Sequence, residues 1–312
     1  MGEKATRDAY GEALARLGEE REDIVVLDAD LSKSTKTAKF AERFPERFFN
    51  MGIAEQNLMG TAAGLALAGK IPFCSTFAVF ASGRALDQVR NSIAYPRLNV
   101  KIVATHAGIT VGEDGASHQS VEDIALMRSI PGMTVIVPAD AVETEKAVWA
   151  IAAMEGPVYM RLGRGSVPVV HGADYQFQLG KAELMCPGQD ATIAACGVMV
   201  AVALEAAEML AREGVQVRVL NLATIKPLDE EAVVTAAKET GAVVTAEEHN
   251  IIGGLGSAVA ETLGEHFPVP LERVGIRDVF GQSGTPDQLM AHYGLRAVDL
   301  INAVKRVLRR KQ

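Results

Sequence analysis

Short apolar runs alternate with helical stretches along most of the chain, and this alternation restricts the fold more than any single motif does. Residues 23–30, Asp-Ile-Val-Val-Leu-Asp-Ala-Asp, are typical of a buried strand that ends in acidic residues. Strands that alternate with helices form mostly parallel sheets with right-handed crossovers. The pattern therefore predicts an α/β domain over residues 1–165. Its further strands are expected within residues 71–80, 99–105, 133–140 and 158–161.

The alternation is lost at residues 166–188, which contain two prolines and three glycines. We interpret this segment as a linker, because proline and glycine interrupt regular elements. The alternation then resumes and predicts a second α/β domain over residues 189–312. Its strands are expected at residues 191–196, 215–222, 242–246 and 271–274.

Composition excludes several classes of protein. The net charge of -8 argues against nucleic acid or an anionic membrane as the main partner. The three cysteines fit no metal or redox spacing, which favours reduced thiols in the cytosol. The N-terminus lacks the apolar core of a signal peptide, and no apolar run is long enough to span a membrane. We therefore expect a soluble cytoplasmic protein with no nucleic-acid partner and no membrane partner.

Residues 48–60 combine a short apolar run, a glycine and the start of a helix rich in small residues. Glu55 is expected in the first turn of that helix, where the macrodipole favours a negative charge. Its apolar neighbours favour the neutral carboxyl instead, because burial disfavours the charged form. A carboxyl under these opposing influences is suited to sharing a proton. The alternative is a solvated glutamate at a helix start.

A glycine-rich segment follows the strand at residues 99–105 and carries His106, Asp114 and His118. Its glycines indicate tight turns and close approach of the main chain. Imidazoles exchange protons near neutral pH, so two of them on one loop are suited to acid–base chemistry. The alternative is a structural role for each histidine.

The sequence Gly-Ile-Ala-Glu-Gln at residues 52–56 and the segment 105–119 resemble two segments of transketolase, in the same order. The resemblance extends over essentially the whole chain and corresponds to the C-terminal half of that family. It implies a pyrimidine-binding domain for thiamine diphosphate and a transketolase C-terminal domain, each with a mostly parallel sheet flanked by helices. It also implies transfer of a two-carbon ketol unit from a ketose phosphate to an aldose phosphate, as in the pentose phosphate pathway.

The resemblance implies roles for individual residues around the cofactor and the substrate. Glu55 would face the aminopyrimidine ring and act in catalysis together with His106 and His118. Cofactor binding is implied for Asp30, Glu55, Phe77 and Phe80, and substrate binding for Arg7, Ser34, His106, Asp114, His118 and Arg164.

Two features depart from a simple match. Gly83 stands where the family often has a further aromatic residue beside the cofactor. Arg161 lies three residues before Arg164 and is a second candidate for holding the substrate phosphate, although we place Arg164 first. No residue of this chain is predicted to bind a metal.

The family's cation motif, Gly-Asp-Gly followed by an asparagine, is absent from the chain. The resemblance therefore implies a separate N-terminal subunit that binds the diphosphate through Mg²⁺ or Ca²⁺. We expect a homodimer core of this chain within a heterotetramer, with sugar phosphates as substrates and no activity without the N-terminal subunit.

Three alternatives stay open. The segment at residues 52–56 is shared with 1-deoxyxylulose-5-phosphate synthase, which normally forms one long chain. The β subunit of a 2-oxoacid dehydrogenase is a separate chain with the same domain order, but it lacks the pattern seen at residues 112–118. A non-catalytic regulatory or binding subunit is the third alternative, and the retained Glu55, His106, Asp114 and His118 argue against it.

Overall fold

The computed structural model describes residues 2–311. Its strands form one seven-stranded sheet, one five-stranded sheet and a two-stranded pair. They are β1 (Glu3–Ala5), β2 (Ile24–Asp28), β3 (Phe48–Asn50), β4 (Ile71–Ser75), β5 (Lys101–Ala104), β6 (Thr134–Ile136), β7 (Val158–Arg161), β8 (Ser166–Pro168), β9 (Glu183–Cys186), β10 (Ala191–Ala195), β11 (Val217–Asn221), β12 (Thr224–Lys226), β13 (Val243–Asn250) and β14 (Leu271–Ile276).

Helices connect most of these strands. They are α1 (Thr6–Glu20), α2 (Ser32–Thr35), α3 (Ala38–Arg43), α4 (Glu55–Leu67), α5 (Leu86–Gln88), α6 (Asp123–Ser129), α7 (Ala141–Ala153), α8 (Met199–Arg212), α9 (Glu230–Thr240), α10 (Leu255–His266), α11 (Pro286–His292) and α12 (Ala297–Leu308). Short 3₁₀ turns cover Pro45–Arg47 and Ile109–Asp114, and π-helical turns cover Phe80–Arg84 and Val89–Ala94. None of the helices within residues 2–311 is both long and apolar enough to cross a lipid bilayer.

The first sheet has the strand order β12-β6-β7-β5-β4-β2-β3. Its neighbours pair in parallel, except that β12 is antiparallel to β6. Strands β2 and β4 are buried at every position, which is typical of a parallel sheet covered by helices on both faces. The prediction of a mostly parallel α/β fold is confirmed.

The second sheet has the order β14-β13-β10-β11-β9, and only β9 runs antiparallel to its neighbour. The domain boundaries taken from the sequence stay a prediction. The segment 166–188, interpreted as a linker, contains β8 and β9. These strands are too short to show a clear hydrophobic period.

The hydrophobic core consists of three clusters of buried residues. One cluster lies between the first sheet and α1 and α7, and another lies between the second sheet and α8 and α12. The largest cluster runs from α4 and β5 to residues of α9 and α10, and so joins the two sheets. Strand β12 strengthens this connection, because it follows β11 of the second sheet in sequence and pairs with the first sheet.

Candidate active site

The candidate site lies at the carboxyl edge of the first sheet. In open α/β sheets ligands bind at this edge, because the loops that follow neighbouring parallel strands converge there. Strands β7, β5, β4, β2 and β3 are consecutive neighbours in the sheet. The residues assigned from the sequence follow them along the chain: Arg164 (β7), His106, Asp114 and His118 (β5), Phe77 and Phe80 (β4), Asp30 and Ser34 (β2), and Glu55 (β3).

Glu55 is the first residue of α4 and is only 5% exposed. Its carboxylate pairs with Arg84, whose Nη1 lies 3.2 Å from Glu55 Oε1. The guanidinium carbon of Arg84 also lies 4.0 Å from the ring centroid of Phe80. A planar cation therefore contacts both the buried carboxylate and an aromatic face.

Four aromatic rings form a continuous surface beside this carboxylate. Phe77 and His106 stack with centroids 3.8 Å apart and an interplanar angle of 19°. Phe80 stacks on Phe77 at 5.7 Å, and His118 meets both phenyl rings edge-on at 6.3 and 5.6 Å. Such a surface suits a flat heteroaromatic ring, which gains both buried area and ring–ring contacts.

His106 is buried and has a left-handed φ of 58°, a strained conformation for a residue other than glycine. Its Nε2 lies 3.3 Å from Arg7 Nη1, and its Nδ1 lies 2.9 Å from Thr105 Oγ1. Arginine can only donate, so Nε2 must accept and the proton must sit on Nδ1. Burial, together with the nearby charges of Arg7 and Arg164, lowers the pKa of His106 to about 3.

We expect the imidazole of His106 to stay neutral between pH 8 and pH 5, because its lowered pKa of about 3 lies well below that range. The measurement is a pH titration of the histidine ring resonances by NMR. An Arg7→Met variant removes one of the cations that disfavour the imidazolium, and it should raise the pKa. A midpoint for His106 between pH 5 and 7 in the unmodified chain would contradict this assignment.

Arg7 and Arg164 are brought together by a short antiparallel pairing that the sequence did not reveal. Strand β1 pairs with β8, and Ala5 lies opposite Ser166. Arg7 follows this pairing by two residues and Arg164 precedes it by two, so both arginines emerge at the same end. Arg7 Nη1 donates to the Ser34 carbonyl at 3.0 Å, and Arg164 Nη1 donates to the Val111 carbonyl.

Arg161, the second candidate for a phosphate ligand, is engaged elsewhere. It is 6% exposed, and its Nε lies 2.9 Å from Asp123 Oδ2. Its Nη2 donates to the carbonyls of Ser120 and Glu248 at 3.3 and 2.8 Å. This geometry favours Arg164, which is partly exposed, for contact with a ligand.

Three of the residues assigned from the sequence lie at the edge of the candidate site. Asp30 is exposed, with a positive φ of 65°, and accepts a hydrogen bond from Asn50 at 2.9 Å. The side chain of Asp114 is exposed and forms no hydrogen bond or ion pair within the described part of the chain. Ser34 is half-buried in α2 and contributes its carbonyl oxygen to Arg7.

Two further residues matter to the site although no role was predicted for them. Arg84 pairs with Glu55 as described above. Gln119 is buried and its Nε2 donates to the carbonyls of Ile109, Gly112 and Gln282, at 3.2, 3.2 and 3.0 Å. It therefore ties the loop that carries the histidines to the C-terminal half of the chain. Its position directly after His118 was the only signal in the sequence.

The arrangement combines a buried carboxylate, an aromatic surface, a neutral imidazole and two arginines. The carboxylate and the imidazole can exchange protons with a bound molecule, and the arginines can bind anionic oxygens. Such a set suits a reaction in which a cofactor with a flat ring acts on an anionic substrate.

Comparisons with known proteins agree with this geometry. A family model described as the transketolase pyrimidine-binding domain matches residues 2–170. A second one, the transketolase C-terminal domain, matches residues 180–300.

Individual relatives cover nearly the whole chain. A protein of Methanocaldococcus jannaschii, provisionally named a transketolase C-terminal section, is 53% identical over 94% of this chain and 92% of its own length. A 6-deoxy-6-sulfo-D-fructose transketolase subunit of Clostridium sp. (strain MSTE9) is 49% identical over 98% of this chain and 95% of its own length. Among solved structures, a split-gene transketolase described as an inactive β4 tetramer has 60% identity and a TM-score of 0.93, and covers 99% of both chains.

Proposed function

This chain belongs to the transketolase family, and we propose that it is the C-terminal subunit of a split transketolase. In this proposal it transfers a two-carbon ketol unit from a ketose phosphate to an aldose phosphate, in the cytoplasm and together with a separate N-terminal subunit. The observation that carries the proposal is the buried Glu55 carboxylate, which Arg84 connects to the stacked rings of Phe80 and Phe77. The split nature is supported by these two relatives, which are of similar length to this chain and are named as a section and a subunit.

The transketolase family uses thiamine diphosphate, and the residues present fit its aminopyrimidine ring. The guanidinium of Arg84 shows this fit, because it is a planar N–H group that both packs on Phe80 and pairs with Glu55. An aminopyrimidine has the same features, namely a flat face and a ring nitrogen that shares a proton with a carboxylate. When bound, thiamine diphosphate supplies the carbon nucleophile and accepts electrons as the carbon–carbon bond breaks.

Each residue of this chain then has a physical task. Glu55, which is buried at the start of α4, holds or returns a proton at its carboxylate oxygen. Phe77 and Phe80 orient a ring by stacking. His106 is neutral and has its only ring lone pair at Nε2, which accepts a hydrogen bond from Arg7 or from a bound molecule. His118 extends the same surface.

The arginines are proposed to hold the phosphate of the sugar. Arg7 Nε is buried and has no hydrogen-bond partner among the described residues, which is unusual for a buried donor. Arg164 is partly exposed, and its Nη1 donates to the Val111 carbonyl in the loop that carries His106 and His118. Planar guanidinium groups bind phosphate oxygens in pairs, so two adjacent arginines favour a phosphorylated substrate over a neutral sugar. Ser34 and Asp114 are proposed to contact sugar hydroxyl groups.

We expect Arg164→Met to raise the KM for phosphorylated sugars by about ten- to a hundredfold, because a hydrogen bond to a charged group contributes about 1.5–3 kcal/mol. The kcat should change much less. Steady-state kinetics of the assembled enzyme test this, with Arg212→Met on the exposed face of α8 as the matched control. An equal loss with unphosphorylated sugars would speak against a phosphate contact.

A partner subunit is supported by the surface around the site. Ile53, two residues before Glu55, is 77% exposed, and Leu67 at the end of α4 is 76% exposed. Gly60 and Gly64 are exposed on the same helix, with open space where a side chain would be. A helix face with small residues flanked by exposed apolar ones is suited to close packing against another chain. We propose that this face binds the subunit that holds the diphosphate and its Mg²⁺ or Ca²⁺ ion, within a heterotetramer built on a homodimer of this chain.

The proposal is tested by reconstitution. Transfer from xylulose 5-phosphate to ribose 5-phosphate is measured with this chain alone, with the N-terminal subunit alone and with both, in the presence of thiamine diphosphate and Mg²⁺. We expect turnover only from the mixture, with a maximum at equal amounts of the two chains. Full activity of this chain alone would contradict the split arrangement. No transfer by the mixed complex, with any phosphorylated donor or with 6-deoxy-6-sulfo-D-fructose, would favour a non-catalytic subunit.

A further inference from the structure

A second cluster of titratable side chains lies where four parts of the chain meet. Asp140 and Glu143 stand at the start of α7, His171 lies in the segment after β8, and Glu183 begins β9. Asn221, the last residue of β11, completes the cluster. All except Glu183 are almost fully buried. The cluster has no role in the proposed transfer reaction.

The donor atoms of this cluster converge. One ligand atom from each of Glu143, His171 and Glu183 lies within 4.8 Å of the other two. His171 Nε2 is 2.9 Å from Glu183 Oε2, and His171 Nδ1 is 3.0 Å from Asp140 Oδ2. A carboxylate beside one ring nitrogen of a histidine, with the other nitrogen aimed at further carboxylates, is the usual arrangement around protein-bound zinc.

The cluster carries more negative than positive charge. Three carboxylates surround one imidazole, and no lysine or arginine within residues 2–311 forms an ion pair with Asp140, Glu143 or Glu183. Backbone N–H groups of Ala139 and of Glu143 at the helix start offset part of the charge. A buried surplus of carboxylates favours a cation.

A buried carboxamide with one unpaired atom borders the cluster. Asn221 Oδ1 is buried and has no hydrogen-bond partner in the described part of the chain. Its Nδ2 lies 2.8 Å from Glu143 Oε1 and 3.4 Å from His171 Nε2, so a half-turn of the carboxamide would place Oδ1 among the other donors. The cluster also borders a cavity of about 590 Å³, lined by His171, Tyr175 and Glu183, through which an ion can enter.

We propose that Glu143, His171 and Glu183 form a structural site for a divalent transition-metal ion of the zinc type. His171 provides Nε2, and the two glutamates provide one carboxylate oxygen each. Asn221 Oδ1 or a water molecule from the cavity takes the fourth position of a tetrahedral site. Asp140 orients the imidazole from the other side. A bound ion would fasten β9 and the segment before it to α7, and so fix the second sheet against the first.

The test is binding of Zn²⁺ by the chelator-treated chain, measured by calorimetry, with Co²⁺ absorption as a report of tetrahedral coordination. We expect one equivalent of metal to bind and the melting temperature to rise when Zn²⁺ is added. Glu183→Gln, at the cavity wall, and His171→Gln should each weaken binding at least tenfold and abolish the tetrahedral Co²⁺ band. The control is His266→Gln, a half-exposed histidine that pairs with Glu230 on the surface.

The variants separate the proposal from its rivals. Unchanged affinity in both Glu183→Gln and His171→Gln would place the metal elsewhere, for example at Cys186, and overturn the proposal. Failure of the unmodified chain to bind a stoichiometric ion would overturn it as well, and would leave His171 as a protonated partner of the carboxylates. Glu183→Gln keeps the test informative if His171→Gln does not fold. None of these outcomes depends on transferase activity.

Discussion

Glu55→Gln should lower kcat of the assembled enzyme by about 10²–10⁴-fold, the range in which a positioned proton donor or acceptor contributes. The substitution keeps the shape of the side chain but removes its ability to hold and return a proton. The measurement is kcat for ketol transfer by the complex of both subunits with thiamine diphosphate and Mg²⁺.

Assembly and folding serve as controls for this variant. The glutamine should leave subunit association and melting temperature largely unchanged, because the partner of Glu55, Arg84, is half exposed and the ion pair is screened by solvent. Glu46→Gln, an exposed glutamate in the 3₁₀ turn before β3, is the matched substitution and should have normal activity. Unchanged turnover in the Glu55 variant would remove the carboxylate from the mechanism and favour a binding role for this chain.

Arg161→Met should lower the free energy of unfolding by about 3–5 kcal/mol, since loss of one partner leaves a buried charge uncompensated. Asp123 is fully buried, and after the substitution its carboxylate would keep only the Tyr159 hydroxyl as a side-chain partner, at 2.7 Å. The carbonyls of Ser120 and Glu248 would lose a donor as well. Urea denaturation of the isolated chain at fixed protein concentration measures the change.

Arg164→Met is the natural comparison, since it lies three residues away and makes the same change of side chain. It is partly exposed, and we expect its effect on unfolding to be within about 0.5–1 kcal/mol. The two arginines should therefore separate, with Arg161 affecting stability and Arg164 affecting substrate binding. Similar losses of stability in both variants would show that the distinction drawn from burial is wrong.

The sequence predicted the regular part of the fold because that part obeys local rules. Strand β10 was expected at residues 191–196 and lies at Ala191–Ala195, and helix α8 follows it at Met199–Arg212 with its buried residues at helical spacing. A fully buried strand is a continuous apolar run, and an amphipathic helix repeats its apolar positions with a period of 3.6, so both are visible in a single sequence. The convergence of the assigned residues at one sheet edge then follows from the parallel topology.

Contacts between distant segments could not be predicted in this way. The pairing of β1 with β8 joins residues more than 160 positions apart. Each strand contributes only three residues, which is too few to show a hydrophobic period in the sequence. The position of Arg7 beside His106 and that of Arg84 beside Glu55 depend on such contacts. The same holds for the cluster around His171, whose members come from four separate elements or loops.

Strand β12 has a consequence for how the chain can be divided. It covers the outer edge of β6, so a fragment that stops before Thr224 would leave the main-chain N–H and C=O groups on that edge without a partner strand. Open edges of this kind promote strand addition between molecules. We expect the N-terminal half to aggregate when it is expressed without Thr224–Lys226. The same exposed edge would disfavour a further division of the gene between the two domains.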